Sequence, residues 1–141
     1  MSRLEDLENY ESELEEKQEE VEASEQKLSD VNNRLDKVEE AISKLSGDQE
    51  VANSLKGNKE EAEKEKQDIE QKRETLKNDL ENIQQNIESN DAENKKSEEV
   101  LKNLSRLGED VSDAEAIVNN REQQIETYKT KVNNLLKKLQ S

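Results

Sequence analysis

The chain has no cysteine, histidine, proline, tryptophan or phenylalanine, and only three glycines, two tyrosines and one methionine among 141 residues. Each absence removes a class of chemistry. Without histidine or cysteine, the usual nucleophile–base pairs and most zinc sites are excluded. The three glycines are isolated, so no glycine-rich phosphate loop exists. No long apolar run occurs, and the start Met-Ser-Arg leads into polar sequence, which predicts neither a secretory signal peptide nor a membrane span. The lack of cysteine fits a cytoplasmic protein. Positive charge is also short. The net charge is −15, and the clustered lysine and arginine that nucleic acid or an anionic membrane surface requires is missing.

Charged residues make up 42% of the chain and hydrophobic ones 28%, where a globular domain of this size is nearer half apolar. That composition borders on the disordered class. The spacing of the apolar residues argues for order. Leu7, Leu14, Val21, Leu28, Leu35 and Ile42 repeat every seven residues. Tyr10, Val31, Val38 and Leu45 fill the second seam position, with Lys17 and Ser24 in the thin stretch between. A heptad stripe of this kind must face other helices. The first helix is expected over about 3–45, opened by a Ser2–Glu5 capping box. Ser46-Gly47-Asp48 signals its end, with Gly47 available for a left-handed cap.

Residues 46–57 read as a connection, with a short helical turn around Val51, Ala52 and Leu55, and Gly57 as a second break. Asn58 is the expected cap of a second helix over about 58–107, the polar helix around which the chain is organised. Its stripe is dense from Ile69 to Ile87, lapses where Asn90, Asn94 and Ser97 take seam positions, and resumes with Val100, Leu101, Leu104 and Leu107. Ser89-Asn90-Asp91 reads as either a break or kink or, the favoured alternative, a soft spot in a continuous helix; the sequence leaves the two open. Gly108 ends it. The third helix spans about 112–140, with Ser112 and Glu115 spaced as a capping box and Val118, Ile125, Val132 and Leu139 as one seam row. Lys137 and Lys138 complement its C-terminal dipole.

A fold-back near residue 52 sets Leu35 against Ile69 and Leu28 against Leu76; one near 109–110 sets Val132 against Ile87. Short turns between long helices favour antiparallel neighbours. The expected fold class is all-α: one elongated domain over 1–141, an up-down-up three-helix coiled-coil bundle (residues 4–24, 80–101 and 118–139) extended by a two-helix stalk. In the bundle, the Tyr10 and Tyr128 hydroxyls are expected to satisfy Asn90 or Asn94, a polar pairing that fixes register at some cost in stability.

Paired carboxylates such as Glu15-Glu16 and Glu60-Glu61 are abundant. A catalytic pair needs burial or a neighbour to separate its two pKa values, whereas these fall on solvent-facing positions by period. Asp110 to Glu115 lacks the ligand spacing of a calcium loop. The reading is therefore non-enzymatic, with no cofactor, metal or small-molecule substrate. The stripes themselves remain. They are either consumed within the chain or shared with a second helical protein. The candidate partner-binding seam is Leu7, Tyr10, Leu14, Val21 and Leu28 on the first helix, and Ile125, Tyr128, Val132, Leu135 and Leu139 on the third. The alternative is a self-associating coiled-coil spacer.

Leu7, Tyr10 and Leu14, followed by Glu16-Lys17-Gln18, resemble the opening of the small helical accessory proteins of the WXG superfamily that accompany LXG-type effectors of type VII secretion. Ser54-Leu55-Lys56-Gly57 stands where that group has a Trp-x-Gly turn, with Leu55 in the tryptophan's place. Ile125 to Leu139 is similar to its heptad-rich last helix. The tryptophan is missing, and neither tyrosine starts a Tyr-x-x-x-Asp/Glu signal, because Leu14 and Val132 hold the acidic position. The resemblance implies a chaperone or targeting partner of an effector's N-terminal helical domain, cytoplasmic and exported with it or left behind.

Overall fold

A computed structural model of the chain describes residues 7–140. It is an all-α three-helix bundle: α1 (Leu7–Lys44), α2 (Gln49–Arg106) and α3 (Ser112–Gln140). The Ser2–Glu5 capping box lies outside the described residues.

The first correction concerns the turn between α1 and α2. Residues 49–57, expected as connection, belong to α2. Asp48 is the cap: its Oδ1 accepts the Val51 N–H at 3.2 Å and its carbonyl accepts the Ala52 N–H at 3.0 Å. With that cap in place, Gly57 is carried inside the helix, at a cost of about 1 kcal/mol relative to alanine that the long flanking helix absorbs. Asn58 is therefore mid-helix and caps nothing, and Ser54 to Gly57 is helix rather than a turn. The real turn is closed by short-range bonds, Leu45 N–H to the Ile42 carbonyl and Asp48 N–H to the Leu45 carbonyl. Gly47 keeps a negative φ; Gly108 is the residue with the left-handed conformation, at φ +89°.

The second correction follows from the first. With the fold-back moved to Gly47, the α1–α2 register slides by more than a helical turn. Arg34 pairs with Glu65 and Glu39 with Lys59, where a fold about residue 52 would have put Arg34 opposite Glu70. Leu35 accordingly joins Val31 and Ala62, with Leu28 and Ile69 packed against that cluster.

The other helix ends divide into one expectation met and one corrected. Gly108 closes α2 as a Schellman cap: its N–H reaches the Ser105 carbonyl at 3.0 Å, and the Glu109 N–H reaches the Leu104 carbonyl at 3.2 Å. At α3 the expected Ser112–Glu115 box is replaced. The Glu115 N–H bonds to the Val111 carbonyl, and Ser112 turns its hydroxyl and N–H to Asp110 Oδ1 at 2.7 and 3.1 Å. Those two bonds hold the exposed Asp110 carboxyl below its ordinary pKa, the side-chain bond contributing most. The box is lost because the Val111 carbonyl already takes the Glu115 N–H, and the Ser112 hydroxyl donates instead to the strong carboxylate acceptor beside it.

The packing divides into two compact units. The three-helix unit takes α1 up to Gln18 and everything from Lys77 on; the hairpin unit is Glu19–Leu76. The boundary falls earlier along α1 than the sequence pattern suggests. The three-helix unit buries Leu14, Leu80, Ile87, Ile125 and Val132 almost completely. Each such side chain contributes about 1.5–3 kcal/mol over an exposed one. α2 runs unbroken through Ser89-Asn90-Asp91, which decides between the two readings of that stretch.

Candidate functional site

The ten seam residues named from the sequence are mostly already packed within the chain. In the three-helix unit, Leu7, Tyr10, Leu14, Ile125, Tyr128, Val132 and Leu135 are buried and Leu139 is half-buried. In the hairpin unit, Val21 is buried and Leu28 half-buried. The thin stretch of α1 is filled by polar contacts from α2. Lys17 pairs with Asp79 at 3.1 Å in the three-helix unit. In the hairpin unit, the buried Ser24 hydroxyl donates to the Val21 carbonyl at 2.7 Å and accepts from the Arg73 guanidinium at 2.8 Å. Leu28 and Leu139 are the two of the ten that stay half-exposed.

The interior of the three-helix unit holds a polar layer. Asn90 Nδ2 donates to the Tyr10 hydroxyl at 3.3 Å and to the Asn86 carbonyl at 2.9 Å. That matches the expected tyrosine–asparagine pairing. Asn94 does something else: its Nδ2 donates across to α3, to the Val118 carbonyl at 3.1 Å and Glu122 Oε2 at 3.2 Å. Tyr128 meets Tyr10 edge to face, with ring centroids 6.2 Å apart. Burial, assisted by Glu11 and Glu8, pushes the Tyr128 hydroxyl above its ordinary pKa. Asn90 Oδ1, Asp91 Oδ1 and Asn94 Oδ1 are buried with no hydrogen-bond partner among the described residues.

Beside this layer, the carboxylates of Asp91, Glu122 and Glu126 bring one oxygen each within 4.8 Å of one another, a spacing that could hold a cation. The chain supplies its own cation. Lys129 Nζ lies 2.6 Å from Asp91 Oδ2 and 3.8 Å from Glu126 Oε1, and Lys95 approaches the same Asp91 oxygen at 3.3 Å. Burial alone would raise the Asp91 carboxyl, yet the bonds and charges of Lys129 and Lys95 outweigh it and hold the carboxyl below its ordinary value. The bond to Asp91 raises Lys129 in turn, against the opposing effect of burial. The two shifts agree on a working ion pair.

Among the described residues, two apolar surfaces stand open. At the α2–α3 end of the three-helix unit, Val100, Leu104, Leu107 and Ile117 are exposed, Leu107 by 80%. The sequence expectation placed Val100, Leu104 and Leu107 in a closed seam. Ile117 shares a cleft with Leu7 and Glu8 at the start of the described part of α1.

The second surface is a groove of about 640 Å³ along the hairpin unit. Ala23, Val31 and Ile69 form its apolar floor. Spacings of three, four and seven residues place Ala23, Lys27 and Asp30 on one face of α1, and Asp68 and Lys72 on the facing side of α2. The groove exists because two helices alone cannot enclose a heptad seam: α3 packs over the Lys77–Arg106 part of α2, while the Gln49–Leu76 part has α1 alone. The sequence carried a signal for it, a stripe on α1 and α2 longer than α3 could match, but the register error hid which side chains meet.

The fold defines an all-α helical bundle. Compared with protein-family models, curated proteins and solved structures, the chain matches none.

Proposed function

We propose that the chain is a non-enzymatic interaction protein that binds another helical chain in the hairpin groove of Glu19–Leu76. The observation that carries this reading is the incomplete seam: apolar floor residues Ala23, Val31 and Ile69 line an open groove. A two-helix hairpin buries too little apolar surface to stand well alone, and a third helix laid along it gains area without rearranging the first two. The polar chemistry elsewhere supports the same reading. The Asp91 cluster is neutralised by Lys129 and Lys95, and the Tyr10–Asn90 pair serves packing. The resemblance of Leu7, Tyr10 and Leu14 to type VII accessory proteins makes an effector's N-terminal helices one such partner, with this chain as its chaperone or targeting factor.

A photo-crosslinking residue at exposed Ala23, introduced in the native host, tests the proposal. The expected product joins this chain to a different protein through one of that protein's helices. A product joining two copies of this chain would favour the self-associating spacer, and no product at all from a folded, expressed chain would end the proposal.

A further inference from the structure

Resting on the groove reading above, we infer that the groove's occupant is an amphipathic helix whose apolar stripe is flanked by lysine or arginine, contributed by a different chain. Three observations lead there. The rim is acidic. Glu19, Glu20, Asp30 and Asp68 border it against Lys27 and Lys72, while Arg34 and Glu65 pair with each other across it. The floor is narrow and made partly of small side chains, with Ala23 and Ser24 where larger residues would close it. Packing alone therefore supplies little, and the rim charges decide among helices of equal apolar content. The third observation is the charge of the whole chain, −15. Two copies paired groove to groove would set equal acidic rims against each other, and the basic last helix of a second copy has its apolar face, Ile125, Val132 and Leu135, already buried in its own chain. A helix with basic flanks meets opposite charge along its length.

The other candidates in the molecule lead elsewhere. The Asp91–Glu122–Glu126 cluster already holds the Lys129 ammonium. The exposed end around Val100, Leu107 and Ile117 carries no feature that chooses an occupant.

Two synthetic helical peptides with one shared apolar heptad stripe, about three heptads long, separate the possibilities. One carries lysine on both flanks and the other glutamate. Binding is read by anisotropy of a dye on the peptide. The lysine peptide is expected to bind at least tenfold more tightly at low salt, with the gap narrowing as salt shortens the screening length. The double variant Glu19→Lys/Asp68→Lys, at two exposed rim positions, should erase the preference. Glu60→Lys/Glu63→Lys, equal in charge but outside the groove, should leave most of it. Ala23→Arg should weaken the lysine peptide without unfolding the chain, since Ala23 is exposed. Equal or tighter binding of the glutamate peptide would overturn the basic-helix inference while leaving the groove as a helix site. A lysine preference lost equally in both double variants would overturn it as unspecific attraction. Binding of neither peptide to a folded chain would overturn the inference and the proposed function together.

Discussion

Replacing Asn94 with leucine should make the protein more stable. Asn94 is fully buried, and its Oδ1 has no partner among the described residues. Such an orphaned acceptor costs about 1–3 kcal/mol in desolvation. The substitution also removes two hydrogen bonds, from Nδ2 to the Val118 carbonyl and to Glu122 Oε2. Neither loss leaves a stranded group. The Val118 carbonyl lies within α3 and keeps its helical partner, and Glu122 is half-exposed and turns to water. Together they subtract about 1–2 kcal/mol. Against that stand the relieved oxygen and a buried leucine, about 1.5–3 kcal/mol for the latter. The gains exceed the losses, and the net expectation is a stabilisation of about 0.5–5 kcal/mol. Urea unfolding followed by circular dichroism measures it as a higher midpoint with the slope unchanged. A lower midpoint would refute the reasoning, because it would show that the bonds to α3 outweigh the orphaned oxygen. A raised midpoint with a shallower slope would mean that leucine loosens the native register that Asn94 helps to specify.

The remaining predictions concern ends, glycines and the buried ion pair. Asp48→Ala should cost about 1 kcal/mol as a lost helix cap while Asn58→Ala costs almost nothing, read by thermal melting of both variants; the reverse result would restore the later start of α2. Gly57→Ala should stabilise by about 0.5–1 kcal/mol and Gly108→Ala should destabilise by about 1–2 kcal/mol. A Cβ meets nothing within 4 Å at either site, so the φ of +89° at Gly108 is the difference that urea unfolding would register. Lys129→Met should cost about 2–3 kcal/mol at neutral pH by leaving a buried carboxylate with one lysine fewer. In the native chain the Asp91 pKa is depressed, so its contribution is present above the ordinary carboxylate value of 3.8 and is lost as pH falls through the lower folded value. Lys129 is raised, so its share is present below 10.5 and is lost as pH rises through the higher folded value. In Lys129→Met, acidification toward the carboxylate range should narrow the stability gap to the native chain; a gap that is flat with pH would contradict the ion-pair account.

Much of the fold was legible because heptad spacing is a direct physical signal. Leu7, Leu14, Ile87, Ile125 and Val132 are buried where the period puts them, and Gly108 ends α2 through the left-handed cap that favours glycine. The failures share one cause: local signals compete, and their strengths cannot be ranked by residue type alone. Gly47, Gly57 and Asn58 suggested a long connection, but the Asp48 cap starts α2 earlier and carries both Gly57 and Asn58 into it. That single choice displaced the α1–α2 register and hid the groove. Ser112 read as an acceptor, whereas the neighbouring Asp110 made it a donor. Burial of Asp91 between Lys95 and Lys129 was invisible because Asp91 falls beside the seam row, where period alone predicts a half-exposed position.

The central claim is that the chain folds by itself and leaves the Glu19–Leu76 groove open for a foreign helix. Light scattering on a sizing column, run with circular dichroism on the same sample, tests it most directly. The account expects a helical monomer at the chain mass of 16.3 kDa that melts cooperatively. A stable dimer that Ala23→Arg converts to monomer would contradict it, because the groove would then belong to a second copy of this chain.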